Sequence, residues 1–164
     1  MKRTVSVLLC LALLICAAAG MAEAEAQEEG FQWGAYMLRA TWLTTDPSAI
    51  NIPNLRDGGL FVMIRLEGVG TPVMTGDIQA IQAEEFVLAD KEGNEYGIST
   101  WIVHQLIQPE GGGFPSMAPE QDSFDILFFL EGKGEEAAAG AQLRVGSSLI
   151  DLDSIPRELP SAEE

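Results

Sequence analysis

Chemistry on a protein needs acids, bases or nucleophiles in workable groups, and this chain offers few. His104 is its single histidine, and nothing around it in the sequence is an evident partner. The two cysteines, Cys10 and Cys16, both sit in an apolar N-terminal run. One histidine with no cysteine beyond that run cannot build a zinc site. No serine lies in a G-x-S-x-G or S-x-x-K pattern, so a Ser-His-Asp triad has no framework. Gly111-Gly112-Gly113 lacks the lysine and the strand-to-helix turn of a phosphate-binding loop. Carboxylates are plentiful, as in Glu84-Glu85, Glu135-Glu136, and Asp151 with Asp153. On a strand, Asp151 and Asp153 would point the same way and could share a calcium ion, although no D-x-D-x-D-G loop accompanies them. These residues predict a non-enzyme that needs no cofactor, with a calcium-responsive acidic domain as the alternative.

Binding is the other chemistry on offer. Trp101, His104 and Phe114 are the candidates, because they flank or lie in the Gly/Pro-rich stretch from Pro109 to Pro119. Loops of that length inside a compact domain are uncommon and tend to be functional or mobile. A second candidate surface lies on the most apolar stretch, Phe124 to Leu130. Phe124, Ile126, Phe128 and Leu130 share one face, and Leu127 and Phe129 share the other. Asp125 marks that second face as wet at one end. Leu127 and Phe129 need cover from a loop, from the Ser99–Gln108 segment or from a partner.

The formal net charge of −16 limits the partners. Nucleic acid and an anionic membrane surface would both be repelled. An unidentified protein or cell-envelope partner is the remaining class. Met1-Lys2-Arg3, the uncharged apolar run Val5–Ala19 and the A-x-A patterns at Ala22–Ala24 and Ala24–Ala26 follow the order of a secretory signal peptide, assigned to residues 1–24. The apolar run is shorter than the roughly 20 residues that cross a bilayer. Lipid anchoring at Cys16 is not expected, since the bulky Ile15 precedes it where a small residue is needed. The predicted location is therefore secreted, periplasmic or cell-surface. Cleavage near Ala24 removes both cysteines, so the mature chain would have no disulfide in a compartment that permits them. It must hold together through its core alone.

The elements that would position these residues are strands. Residues 25–34 read as a flexible acidic tether. Tyr36, Leu38, Ala40 and Trp42 then fall on one face of a first strand, and Leu60 to Glu67 alternate in a second. Val73–Ala83 reads as one helical turn or irregular chain. Glu84–Ile98 reads as a β-hairpin, with its reversal at Asp90-Lys91-Glu92-Gly93-Asn94. Ser99–Gln108 fits a strand or a short helix. Gln142–Val145 and Ser147–Leu152 supply closing strands. This gives about seven to eight short strands with no intervening amphipathic helix of roughly 10–15 residues, which predicts an all-β, antiparallel sandwich over residues 35–155. Residues 156–164 read as a polar tail.

Four groups of residues carry a family resemblance. They are Gly59-Leu60-Phe61-Val62-Met63-Ile64; Phe86-Val87-Leu88-Ala89-Asp90 with Gly93 and Tyr96; Met117-Ala118-Pro119-Glu120; and Phe124-Asp125-Ile126-Leu127-Phe128. In this order they resemble the bacterial exported immunoglobulin-like domains of unknown function that are compared with telokin-like sandwiches. The resemblance covers residues 35–152, and the long insert from Trp101 to Pro119 departs from it. It implies an immunoglobulin-like β-sandwich and an exported location, and no activity.

Overall fold

The hairpin of Glu84–Ile98 forms where its turn residues place it. Phe86–Ala89 and Glu95–Val103 pair antiparallel, with Val87 opposite Gly97 and Ala89 opposite Glu95. Gly93 takes φ +83, a left-handed conformation that suits glycine, and its N–H donates to the Asp90 carbonyl at 2.9 Å. The structure is a computed structural model that describes residues 30–49, 57–109, 111 and 113–158. The predicted signal peptide, both cysteines and the first half of the predicted tether lie outside the described residues.

In chain order the strands are β1 (Phe31–Trp33), β2 (Tyr36–Thr44), β3 (Gly59–Gly68), β4 (Val73–Met74), β5 (Phe86–Ala89), β6 (Glu95–Val103), β7 (Leu106–Ile107), β8 (Ser116–Met117), β9 (Glu120–Gln121), β10 (Ser123–Glu131), β11 (Gln142–Val145) and β12 (Ser148–Asp151). One short helix, α1 (Thr75–Gln79), follows β4, where one helical turn was among the expectations. Among the described residues no helix is long and apolar enough to cross a membrane.

The fold is all-β and antiparallel. Eight strands form one sheet in the order β1-β2-β3-β10-β6-β5-β11-β12, while β4–β9 and β7–β8 are separate two-stranded ribbons. Strand β6 is the corner of the sheet. Its Glu95–Gly97 end pairs with β5, and its Ile98–Val103 part pairs with β10. The sheet therefore curls until its far parts meet, and Trp33 of β1 packs on Phe86 of β5 with ring centroids 5.5 Å apart. The two walls are halves of one nearly closed, barrel-like sheet.

Period-two alternation fills the interior. Leu60, Val62, Ile64 and Leu66 of β3 face inward beside Phe124, Ile126, Phe128 and Leu130 of β10. From the other wall come Phe86, Leu88, Leu143 and Val145. Each large side chain buried this way contributes about 1.5–3 kcal/mol. A smaller apolar cluster covers the outer face of β2, β3 and β10: Trp42, Phe61, Met63 and Leu127, with Ile102 and Phe129 against it. A Cβ at Gly59 would meet the Phe129 ring at 2.6 Å and the Leu130 carbonyl at 2.5 Å, so glycine there lets the ring lie over the strand.

Several expectations need correction. Trp42 does not share a face with Leu38. Ala40 stands opposite Leu66 and Trp42 opposite Arg65, so β2 uses two steps where β3 uses one. That bulge at Thr41 turns Trp42 outward. Asp125 is not wet, since it is only 2 % exposed. Leu127 and Phe129 find part of their cover in Ile102, which belongs to the Ser99–Gln108 segment. Most of that segment is strand, and its period breaks because the chain leaves the main sheet after Val103 and passes through His104 and Gln105 into the separate β7. The folded region also extends beyond 35–155. Phe31 and Trp33, placed in the tether, are buried core. Pro156 and Arg157, placed in the tail, accept hydrogen bonds from the Leu43 N–H at 2.8 Å and from Trp42 Nε1 at 3.2 Å.

Candidate functional site

Among the described residues, the largest group of exposed apolar side chains lies on a ribbon that stands apart from the main sheet. Strand β7 pairs with β8, Leu106 opposite Met117 and Ile107 opposite Ser116. Leu106, Ile107 and Met117 are all exposed, and Phe114, in the connection between the strands, is 96 % exposed. Monomeric proteins seldom leave large apolar groups together in water without a use for them.

The base of this ribbon is held firmly. Gln121, on β9, is fully buried. Its Oε1 accepts the His104 N–H at 3.1 Å and the Gln105 N–H at 2.8 Å, and its Nε2 donates to the Gln105 carbonyl at 3.0 Å and the Ala118 carbonyl at 3.3 Å. One amide thus ties both strands of the ribbon where they leave the body. Thr75 adds a hydroxyl bond to the Ala118 carbonyl at 2.5 Å. The Gln105 side chain accepts the Asp122 N–H at 3.0 Å and donates to the Asp122 carboxylate. Each such bond is worth about 0.5–1.5 kcal/mol net, and leaving a buried partner unmade costs more.

Below the ribbon, on the outer face, lies a charged cluster. Arg65 and Asp125 are opposite each other on β3 and β10. Arg65 grips the carboxylate with both arms, Nε to Oδ1 at 2.9 Å and Nη2 to Oδ2 at 3.2 Å. His104 Nε2 stands 3.0 Å from Asp125 Oδ2. The Arg65 guanidinium lies 5.1 Å from the Trp42 ring centroid. Burial pushes the Asp125 carboxyl up, but the hydrogen bonds and charges of His104 and Arg65 outweigh it and hold it below the ordinary carboxylate value. An Asp–His pair is the orienting half of a hydrolytic triad. Here the same carboxylate is also committed to Arg65, an arrangement suited to fastening two strands and the start of the ribbon.

The predicted site residues separate. Trp101 is half-buried and packs on the interior. His104 has the partner that its sequence neighbourhood did not show. Only Phe114 lies on the exposed ribbon. Asp151 and Asp153 do not continue along one strand, because β12 ends at Asp151. Asp151 accepts the Asp153 N–H at 3.0 Å, and Asp153 accepts the Gly140 N–H at 3.0 Å. Among the described residues no group of three or more His, Cys, Asp or Glu could hold a metal ion. Sequence reasoning missed Gln121 and Arg65 altogether. Arg65 had one available signal, the change from apolar to polar along the outer face of β3. Gln121 had none, since all but one of its partners, the Ala118 carbonyl, lie far away in the chain.

Comparisons with protein-family models, curated proteins and solved structures gave no match.

Proposed function

We propose that this chain is an exported, non-enzymatic binding or structural module of the cell envelope or the space outside it, and that the β7–β8 ribbon is where it meets a protein or envelope partner. The observation that carries the reading is a firmly based ribbon with an apolar, exposed tip. Fixing the base through Gln121 lowers the ordering cost of docking, which favours a contact element over a merely loose loop. The chemistry-bearing side chains support the non-enzymatic part, because Asp125, Arg65 and His104 are engaged with one another. The immunoglobulin-like, telokin-like assignment belongs to this proposal. It is supported by the antiparallel strands, the Asp90–Asn94 hairpin and the aromatic β10 strand following in the expected order. The two walls joined at β6 would correspond to the two layers of such a sandwich.

The test is crosslinking from a photoreactive residue at position 114, carried out in the native envelope. A partner captured by the otherwise wild-type chain should be lost when Leu106→Ser and Ile107→Ser are added, with the melting temperature unchanged. Capture that survives those changes, or that occurs equally from a photoreactive residue on β12, removes the ribbon from the reading.

A further inference from the structure

Asp77 and Glu85 are set differently from the buried acids: their described hydrogen-bond donors are neutral. Trp33 Nε1 donates to Glu85 Oε2 at 2.7 Å, and the Tyr36 hydroxyl donates to Asp77 Oδ2 at 2.5 Å. The Gln82 N–H donates to Glu85 Oε1 at 2.9 Å. The two rings stack, with centroids 5.7 Å apart and planes 24° from parallel. Together these four side chains line an open cavity of about 370 Å³. Gly34 and Ala35, in the turn between β1 and β2, and Ala80 complete the lining, and among the described residues no lysine, arginine or histidine lines it.

We infer that this cavity is a binding site for an alkylammonium group, either a free amine or a lysine side chain. The lining offers aromatic surface and carboxylate oxygens. Its two side-chain N–H and O–H groups are already donating to the acids. A ligand must therefore bring donors and positive charge, and an ammonium brings three N–H bonds and a charge that aromatic faces attract. A sugar would need donors from the wall as well as acceptors. A hard metal ion would need six or more oxygen ligands, and only two of the seven lining residues, Asp77 and Glu85, carry carboxylates. The volume falls within the range of small-molecule sites. The strongly acidic surface raises the local concentration of cations and speeds their arrival. The same negative field acts on Tyr36, whose hydroxyl is raised above its ordinary value by its bond to Asp77. This inference stands independently of the ribbon, because its test needs no partner.

The experiment is a titration of the whole mature chain followed by nitrogen–proton NMR. The Trp33 indole N–H signal is assigned by its loss in Trp33→Phe. The probes are n-butylammonium and N-acetyl-lysine methylamide, with n-butanol and methyl glucoside as neutral controls. The expected result is a saturable shift of the Trp33 signal with both ammonium probes, weakened by salt. Equal binding of the two assigns a free amine, and tighter binding of the lysine amide assigns a peptide side chain. Asp77→Asn, at an exposed position, should weaken binding by about two- to fivefold, the scale of one exposed ion pair. Tyr36→Phe keeps the ring and frees the Asp77 carboxylate, so it should bind at least as well as the wild type. No saturable shift, an equal shift with n-butanol or methyl glucoside, or indifference to Asp77→Asn would each overturn the inference.

Discussion

Asp90 and Asp125 are both buried carboxylates, 4 % and 2 % exposed, and they are held in opposite ways. Asp90 is held mainly by its own turn. Its Oδ1 accepts the Glu92 N–H at 3.0 Å and the Asn94 N–H at 2.9 Å, and its Oδ2 accepts the Asn94 side-chain amide at 2.8 Å and the Tyr96 hydroxyl at 3.3 Å. Only Lys133, at 3.0 Å, comes from far along the chain. Asp125 has the reverse arrangement. Arg65 is 60 positions away, and His104 arrives from the end of β6. The first acid shapes a local conformation, and the second joins separate strands. Burial by itself does not tell what a carboxylate is for; the origin of its donors does.

The largest effect should come from removing the cation that serves the distant pair. Arg65→Ala leaves Asp125 buried beside His104 alone and strips the guanidinium from Trp42. Breaking a buried pair from one side costs about 3–5 kcal/mol, and the partial exposure of Arg65 places this case toward the lower end. Urea unfolding measures it. Replacing both partners, as in Arg65→Met with Asp125→Leu, should recover most of that loss, because the pair's desolvation cost goes too. A single variant as stable as wild type would show that the cluster is solvated and is no fastener.

The next test separates shape from charge. Asp90→Asn keeps one carbonyl oxygen that can still accept the two turn N–H groups, but turns an NH2 toward the Asn94 amide, the Tyr96 hydroxyl and Lys133, so its melting temperature should fall while the turn keeps its local bonds. Asp125→Asn cannot receive a bidentate guanidinium, and hydrogen bonds to charged groups are worth about 1.5–3 kcal/mol. Asp90 has one charged partner and keeps two turn bonds, whereas Asp125 has two charged partners and keeps no local bond, so the melting temperature of Asp125→Asn should fall further than that of Asp90→Asn. Equal falls would erase the distinction between the two acids.

The same difference governs how much was legible in the sequence. The Asp90 turn could be read because its partners lie within a few residues, and Gly93 and Asn94 announce the reversal. The inward faces of β3 and β10 could be read because burial repeats every second position. The partners of Asp125 could not be read, since register sets them, and register depends on which strands become neighbours. His104 therefore looked partnerless, and Asp125 looked like the wet end of a strand. The bulge at Thr41 hid the outward turn of Trp42 for a related reason: a single inserted residue reverses every assignment of face beyond it. Of the candidate site, Phe114 and the Gly/Pro-rich stretch were visible, whereas the Gln121 fastening depends mainly on contacts with His104 and Gln105, 16 to 17 positions away.

Acid offers the finest discrimination between the two carboxylates. For each, burial pushes the pKa up and is outweighed: at Asp90 by the Asn94 hydrogen bonds and then Lys133, at Asp125 by His104 and Arg65. Both therefore lie below the ordinary value of 3.8. The unfolded chain then binds protons that the folded chain refuses. Stability is fully present above that ordinary value and is lost as the pH falls through the lowered folded values. The urea midpoint of the wild type should start to drop below about pH 5 and go on dropping below about pH 3, with the other acids contributing a common background. The Arg65→Met, Asp125→Leu variant should show a shallower drop, since one depressed carboxylate is gone. Asp90→Asn should do the same for the other acid, and combining all three changes should flatten the profile further, because the sites are separate and their effects add. A wild-type midpoint that stays level across this range would mean that neither carboxylate is held in its charged form by the fold, and the contrast between them would lose its electrostatic basis.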